Sequence, residues 1–572
     1  MRSSLPKPLH AIAGRSLLGH ALEAAKSLKP AEIVVVVRHM RDDVAAHARE
    51  HVPNVIIADQ DEIPGTGRAV QCAIAALDAA LGIPAAAQAL GVSTAAAQAP
   101  GVSAAAQAPS GGPPETASCA DAAAPSESAP VIVLTSDCPL ADGRVLTALL
   151  ETHVNAGNVA TILSARVPDP AGYGRIIRDP ANGQVLAIIE DRDATPEQAA
   201  ITEINSAIYA FDGDVLRRGL QGLTRDNDQR EVLLTDVIAW ARGEDRPVGA
   251  YVADDPWVVE GVNDRVQLAG LAKEFNRRAT TAAMLSGVTI IDPDTTWIDV
   301  DVRIERDCTI LPGTHLMAGT SIEEGAVIGP NTTLAATHVG AGALVDRTHA
   351  TSVQIGPGAK VGPFTHLRPG TVLGTGAKSG SFVEIKGSSI GDGAKVPHLA
   401  YVGDATVGQG SNIGAGTIVA NYNGLEKLRT TVGDHVRIGS QNVLVAPVAV
   451  GDGAYTGAGA VIRENVPPGA LAVPGAKQRT IPDWVETRRP GTPSAAAARQ
   501  AAQQNPAHDA ESPTAPATSP HALPNFCPAP AHVASPQAPA APVAHDAESP
   551  ATQAAPPDVP SAIVHHQQRA GH

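Results

Sequence analysis

Aromatic residues supply only 3% of this 572-residue chain, and long uninterrupted apolar runs are absent. The first shortage excludes a core built on ring packing. The second excludes a bilayer-spanning helix, which needs about 20 apolar residues in succession. The five cysteines, Cys72, Cys119, Cys138, Cys308 and Cys527, are scattered with no C-x-x-C spacing. That speaks against a zinc or disulfide framework and fits reduced thiols in a cytoplasmic protein. Positive charge is in deficit: 42 Lys and Arg against 58 Asp and Glu leave a formal net charge of −16, which argues against nucleic acid as a partner. The N-terminal MRSSLPKPLH carries no apolar signal core.

What is abundant is unevenly placed. An aliphatic residue followed by Gly recurs every six positions in IGPGAK-VGPFTH (355–366), VGQGSN-IGAGTI (407–418), VGDHVR-IGSQNV (432–443) and VGDGAY (450–455). This is the mark of a hexapeptide-repeat β-helix. The aliphatic side chain points into a triangular prism, and Gly permits the tight corner. No single coil can bury its apolar face alone, so coils must stack. The repeats are expected to fill a domain over 288–485, opened by VTIIDPDTTWIDVDVRI (288–304) and preceded by a linker helix over 268–287.

Residues 1–267 read differently. LLGHALEAAKSL (17–28) has helical periodicity, whereas EIVVVV (32–37), VPNVIIAD (52–59) and VIVLTSD (131–137) are runs typical of strands buried on both faces. Such alternation predicts an α/β domain with a mostly parallel, Rossmann-like sheet. Residues 84–129, where AAAQA recurs at 85–89, 95–99 and 104–108, interrupt it as a disordered insertion. Residues 486–572, with AHDAESP at 507–513 and 544–550, read as a disordered Ala/Pro-rich tail.

SLPKPLH, Q-x-x-x-x-GTG-x-A, SDCPL, GYGRI, IEDRDA, EINSAIY, LLTDVI and VEGVNDRVQL occur in that order along the first domain. With the hexapeptide half, they make the chain resemble the bifunctional N-acetylglucosamine-1-phosphate uridyltransferase/glucosamine-1-phosphate acetyltransferase family over residues 1–83 and 130–485. The resemblance implies a nucleotide-sugar transferase domain followed by a left-handed parallel β-helix. It implies UTP and acetyl-CoA as co-substrates, Mg²⁺ at the uridyltransferase site, and a homotrimer joined through the prisms.

A uridylyl transfer must neutralise charge on the transferred phosphoryl group, commonly with Mg²⁺. Asp137 ends a buried strand, where ligands gather in open α/β sheets; residue by residue, the resemblance makes Asp137 and Asn263 the metal ligands. It makes Gln60, Gly65 and Thr66 uracil contacts, Gly174, Glu190 and Asn205 amino-sugar contacts, and Lys7 a phosphate contact. Taken alone, Asp137 reads equally well as a helix cap, Glu190 as a solvated carboxylate, and IPGTG as an ordinary turn. The family also carries a strand and a Gly-rich phosphate loop ahead of SLPKPLH, and Met1 falls on that loop's final Met. The expectation is a start upstream of Met1. Without that central strand, both its neighbours would stand as open edges, and the acetyltransferase alone would be left active.

Acetyl transfer to an amine needs a base for the proton and donors for the oxyanion. His398, in KVPHLAYVGDA (395–405), matches the family's general base. Arg368 and Lys386 match its phosphate cations, and Tyr401 and Asn412 its sugar and phosphate contacts. Asn421 and Tyr422, in the out-of-register NYNGLEKLRT (421–430) that also holds Lys427, match residues near the acetyl group, while Ala415, Ser440 and Ala458 match the acetyl-CoA path. A family Arg is replaced by Gly475, with Lys477 and Arg479 as the candidates to substitute. By itself a lone His in a Gly-rich repeat is more often merely exposed, and the charged residues more often solvated. A non-enzymatic stalk is the reading His398, Arg368 and Lys386 together oppose.

Overall fold

The computed structural model describes residues 1–83, 129–225, 230–475, 479–504 and 561–565. The insertion expected at 84–129 lies, apart from its last residue, outside the described residues, as do Cys119, Cys527 and Lys477.

The apolar runs of the first domain become the centre of one sheet. Its strands lie in the order 248–253, 160–166, 203–212, 130–135, 561–565, 33–37, 56–59, with 203–212 antiparallel to its neighbours and the rest parallel. The unbroken runs are explained by two cores. Ile33, Val35 and Val37 pack with Ile132 and Leu134 on one side, where helices Leu17–Ser27 and Gly143–Asn155 lie. Val34 and Val36 pack with Val131 and Val133 on the other, against helix Thr66–Ala80. Alternate residues of a strand face opposite ways, so a strand covered on both faces must be apolar throughout.

One strand was not legible. Ser561–His565 lies between Ile33–Val37 and Pro130–Thr135, parallel to both, pairing Ala562 with Ile33 and with Ile132. The two edges expected to stand open are therefore hydrogen-bonded, through a segment from the far end of the chain. Composition hides it: five strand-forming residues are flanked by a long Ala/Pro-rich stretch. Within that same stretch helix Pro493–Gln504 also forms, and helix Trp484–Arg488 precedes it, with Arg489 5.6 Å over the Trp484 ring. Residues 505–560 lie outside the described residues.

The connecting helix runs Arg265–Leu285, starting three residues before and ending two residues before the bounds expected for the linker helix. Asp264 sets that start, its side chain accepting from the amides of Val266 and Gln267, both at 2.9 Å. Buried Asn276 then fixes the helix to the first coil, donating to Thr296 O at 2.7 Å and accepting from Ile298 N at 3.0 Å.

From Thr289 the chain winds as a three-faced prism. Its faces are parallel sheets of seven, ten and nine short strands. Inward aliphatics stack coil on coil, as in Ile310, Ile328, Val345 and Val361, all fully or nearly fully buried. At 421–430 the chain leaves the prism in a small hairpin where Tyr422 pairs with Lys427.

Two checks follow from these packings. In hydrogen–deuterium exchange on the full chain, peptides covering Ser561–His565 should be protected as strongly as Ile33–Val37, because both are interior strands. His20 and His153 are buried in the first domain, and burial pushes each from 6.5 down to about 4. The unfolded chain takes up these protons near pH 6.5 and the folded chain only near 4. Stability should thus be full above pH 6.5 and fall as pH drops, by about 2 kcal/mol per histidine at pH 5 in denaturant titrations.

Candidate functional site

At the carboxyl ends of the parallel strands lies a cavity of about 930 Å³ lined by Lys7, Gln60, Gly65, Thr66, Gly174, Glu190, Asn205 and Asn263. Seven of these are the uracil, amino-sugar and phosphate contacts that the resemblance implies, and the eighth, Asn263, is one of its two metal ligands. Asp137, 6% exposed, is not among the lining residues and reaches the cavity through Lys7, which it bonds. Strand Pro130–Thr135 delivers it, and Val262 N bonding Asp137 O at 3.0 Å brings Asn263 alongside. Lys7 Nζ sits between them, 2.5 Å from Asp137 Oδ2 and 3.1 Å from Asn263 Oδ1. Thr135 Oγ1 donates to the other Asp137 oxygen.

Gly174, Glu190 and Asn205 share one wall: a Cβ on Gly174 would lie 3.5 Å from Asn205 Cβ and 3.6 Å from Glu190 Oε2. The uracil trio is more self-occupied than expected. Gln60 donates to the carbonyls of Ile63 and Gly65, and Thr66 Oγ1 accepts from Leu234 N at 3.1 Å. Gly65 is explained by the fold before any ligand: its φ is +119°, and a Cβ would meet Val232 O at 2.1 Å. Arg38, His39 and Arg192 also line the cavity and were not singled out in the sequence, where they belong to no recognisable pattern.

The second site is built by coil-to-coil hydrogen bonds. Gly416 N bonds His398 O at 3.2 Å, Gln441 N bonds Ala415 O at 2.7 Å, and Gly459 N bonds Ser440 O at 2.8 Å. With Gly414 against Ser440 and Gly439 against Ala458, these bonds put His398, Ala415, Ser440 and Ala458 in one column along a prism corner. An exposed imidazole heads a column of small residues. Asn412 lies on the face that ends at His398, stacked on Lys395 and Arg437.

Past the corner, the next face carries the cations. Strand register stacks His366, Glu384 and Tyr401, and Lys386 on Gly403. Arg368 pairs with Glu384 at 2.9 Å, and Lys386 with Asp404 at 3.1 Å. Its bond to Asp404 raises the Lys386 pKa. Lys427 reaches back from the hairpin; the neighbouring Lys386 ammonium lowers its pKa, and Arg368 adds to that. So Arg368, Lys386, Lys427, Tyr401 and buried Asn421 converge, while His398 stands across the corner, on the adjoining face. Tyr422 is 62% exposed on the hairpin, its hydroxyl donating to Gly424 O at 2.7 Å.

A family model described as MobA-like NTP transferase domain matches residues 1–195, and one described as bacterial transferase hexapeptide (six repeats) matches 301–336. "Bifunctional protein GlmU" of Kineococcus radiotolerans is 48% identical over 501 residues, covering 88% of this chain and 92% of its own. The same-named proteins of Mycobacterium marinum and Corynebacterium jeikeium are 48% and 47% identical, covering 89% and 88% of this chain and 96% and 94% of theirs. The chain belongs to the bifunctional GlmU family.

In that family setting the Asp137–Asn263 pair can be tested against a divalent ion. Among the described residues no cluster of three or more His, Cys, Asp or Glu could hold a metal, which rules against an all-protein cage there. Mg²⁺, however, takes one or two protein oxygens and completes its shell with phosphate and water. A carboxylate and an amide oxygen already face one cation, the Lys7 ammonium, so the donor set fits.

Gly65→Ala should cost several-fold to tenfold in uridyltransferase kcat/KM, because the Val232 segment must move, and leave acetyl transfer unchanged in the same preparation.

Proposed function

We propose that the chain acetylates glucosamine-1-phosphate from acetyl-CoA and then joins the product to a uridylyl group from UTP, releasing pyrophosphate and yielding UDP-N-acetylglucosamine. The observation that carries the reading is the column of His398, Ala415, Ser440 and Ala458 meeting the cationic face of Arg368, Lys386 and Lys427 at one corner. One ligand thioester and one phosphorylated amine are the groups those two surfaces suit.

In acetyl transfer, Arg368 and Lys386 bind the 1-phosphate, Arg by a fork and Lys as a point charge. Tyr401 and Asn412 take sugar and phosphate contacts. The His398 imidazole accepts a proton from the attacking amine as nitrogen bonds to the thioester carbonyl carbon. The C–S bond then breaks, and His398 returns the proton to the departing thiolate. The donor's small-residue path, Ala415, Ser440 and Ala458, lets it lie close to the backbone, with Asn421 and Tyr422 near the acetyl group.

In uridylyl transfer, Gln60, Gly65 and Thr66 hold the base, Gly174, Glu190 and Asn205 the amino sugar, and Lys7 phosphate oxygens. A sugar-phosphate oxygen attacks the α-phosphorus and pyrophosphate leaves. Asp137 and Asn263 would hold Mg²⁺, which supplies neutralisation of the phosphate charge when bound. Among the described residues no helix is long and apolar enough to cross a membrane. We place the enzyme in the cytoplasm, where UTP and acetyl-CoA are available.

A homotrimer belongs to the same proposal. Phe364 and Phe382, 55% and 59% exposed, stack at 5.1 Å one residue past the His398 column, and Leu399 follows at 62%. A second prism covering this strip would also close the open corner between His398 and the cations.

The two activities should separate by mutation. His398→Ala should lower acetyl transfer by about 10²–10⁴-fold and spare pyrophosphate release from UTP and N-acetylglucosamine-1-phosphate. Asp137→Ala should do the reverse. Loss of both activities in either variant, or of neither, contradicts the assignment.

A further inference from the structure

Asp404 belongs to no residue set assigned above, yet it touches both halves of the acetyl-transfer site. It follows strand Tyr401–Gly403 at a corner, with φ +50°, in the left-handed region that Asp and Asn tolerate best among side-chain-bearing residues. Its backbone N bonds Lys386 O at 2.9 Å, which seats it over the preceding coil. There a Cβ on Gly387 would come within 2.9 Å of Asp404 Oδ1. Gly403 clears the other side: a Cβ there would lie 2.4 Å from the Tyr401 hydroxyl and 2.8 Å from Asn421 Nδ2. Two glycines thus leave room for one carboxylate and the head groups around it.

That carboxylate is shared. Lys386 Nζ lies 3.2 and 3.1 Å from its two oxygens, and Asn421 Nδ2 donates to Oδ2 at 2.5 Å. Asn421 is 8% exposed, and its carbonyl accepts from Leu428 N at 2.7 Å, closing the hairpin base. Burial pushes the Asp404 carboxyl up, but the bonds from Lys386 and Asn421 outweigh it and hold it below the usual range. The group is therefore an anion between an ammonium and an amide on successive coils. Glu384 cannot replace it, being engaged by Arg368.

We infer that Asp404 is a positioning residue that joins the two substrate subsites, holding Lys386 toward the sugar phosphate and Asn421 toward the acetyl donor through one carboxylate. The inference rests on the acetyltransferase reading above. Charge-assisted hydrogen bonds of this kind are the strong ones, and residues sharing one network respond together when it is cut. An anion at Asp404 also offsets part of the repulsion between Lys386 and Lys427.

The test is steady-state acetyl transfer by the full chain, varying each substrate in turn, for Asp404→Asn, Lys386→Ala and Asn421→Ala. Asn suits the left-handed corner, and uridyltransferase activity in each preparation reports folding. Lys386→Ala should raise KM for glucosamine-1-phosphate and Asn421→Ala should raise KM for acetyl-CoA. Asp404→Asn should raise both, about tenfold each, with uridyltransferase activity unchanged. A D404N enzyme in which neither KM moves, or only one, overturns the inference. Should D404N lose uridyltransferase activity as well, Asp404 is a folding residue and the inference also fails. If His398→Ala retains full acetyl transfer, the reading of the site is what has failed, a result separable from any of these.

Discussion

Everything at the second site depends on parallel coils stacking in register. The amides of Gly416, Gln441 and Gly459 each bond a carbonyl of the coil before, so residues far apart in sequence become vertical neighbours. His398, Ala415, Ser440 and Ala458 are aligned by this ladder alone. Glycine makes the stacking possible at points such as Gly414, where a Cβ would lie 2.6 Å from Ser440 N. The prism core contributes by fixing the register: shifting a strand by one residue would turn Ile385 or Val402 outward and Lys386 inward.

The first domain solves a different problem with the same backbone chemistry. A sheet covered on both faces positions polar groups only where its strands end. Asp137 appears two residues after Thr135, with Asn263 brought beside it by a single backbone bond. One cation, Lys7 Nζ, lies between their oxygens, the pair to which the proposed function assigns Mg²⁺.

Much of this was legible because it is periodic or terminal. The aliphatic–Gly repeat gives the prism, while the column positions come from the family resemblance, and a buried apolar run ending in Asp gives the ligand end of a strand. What escaped notice breaks those patterns. Asp404 lies inside a segment that was read for its histidine, but its partner Asn421 sits where an out-of-register hairpin begins, so no spacing rule connects them. The resemblance makes Gly65 a uracil contact, whereas its positive φ and the approach of Val232 already require glycine. Ser561–His565 is a short strand whose partners lie hundreds of residues away, and local composition carries no trace of them.

The stacking itself can be measured with a pair of cysteines at positions 415 and 440. Adjacent parallel strands run about 4.8 Å apart, within the Cα separation a disulfide spans. Ala415→Cys/Ser440→Cys should therefore oxidise to an intrachain link, identified as a joined peptide by mass spectrometry, and lose acetyl transfer until reduced. Cysteines that stay free under oxidant, or a link that leaves acetyl transfer untouched, would contradict the column as the path of the acetyl donor.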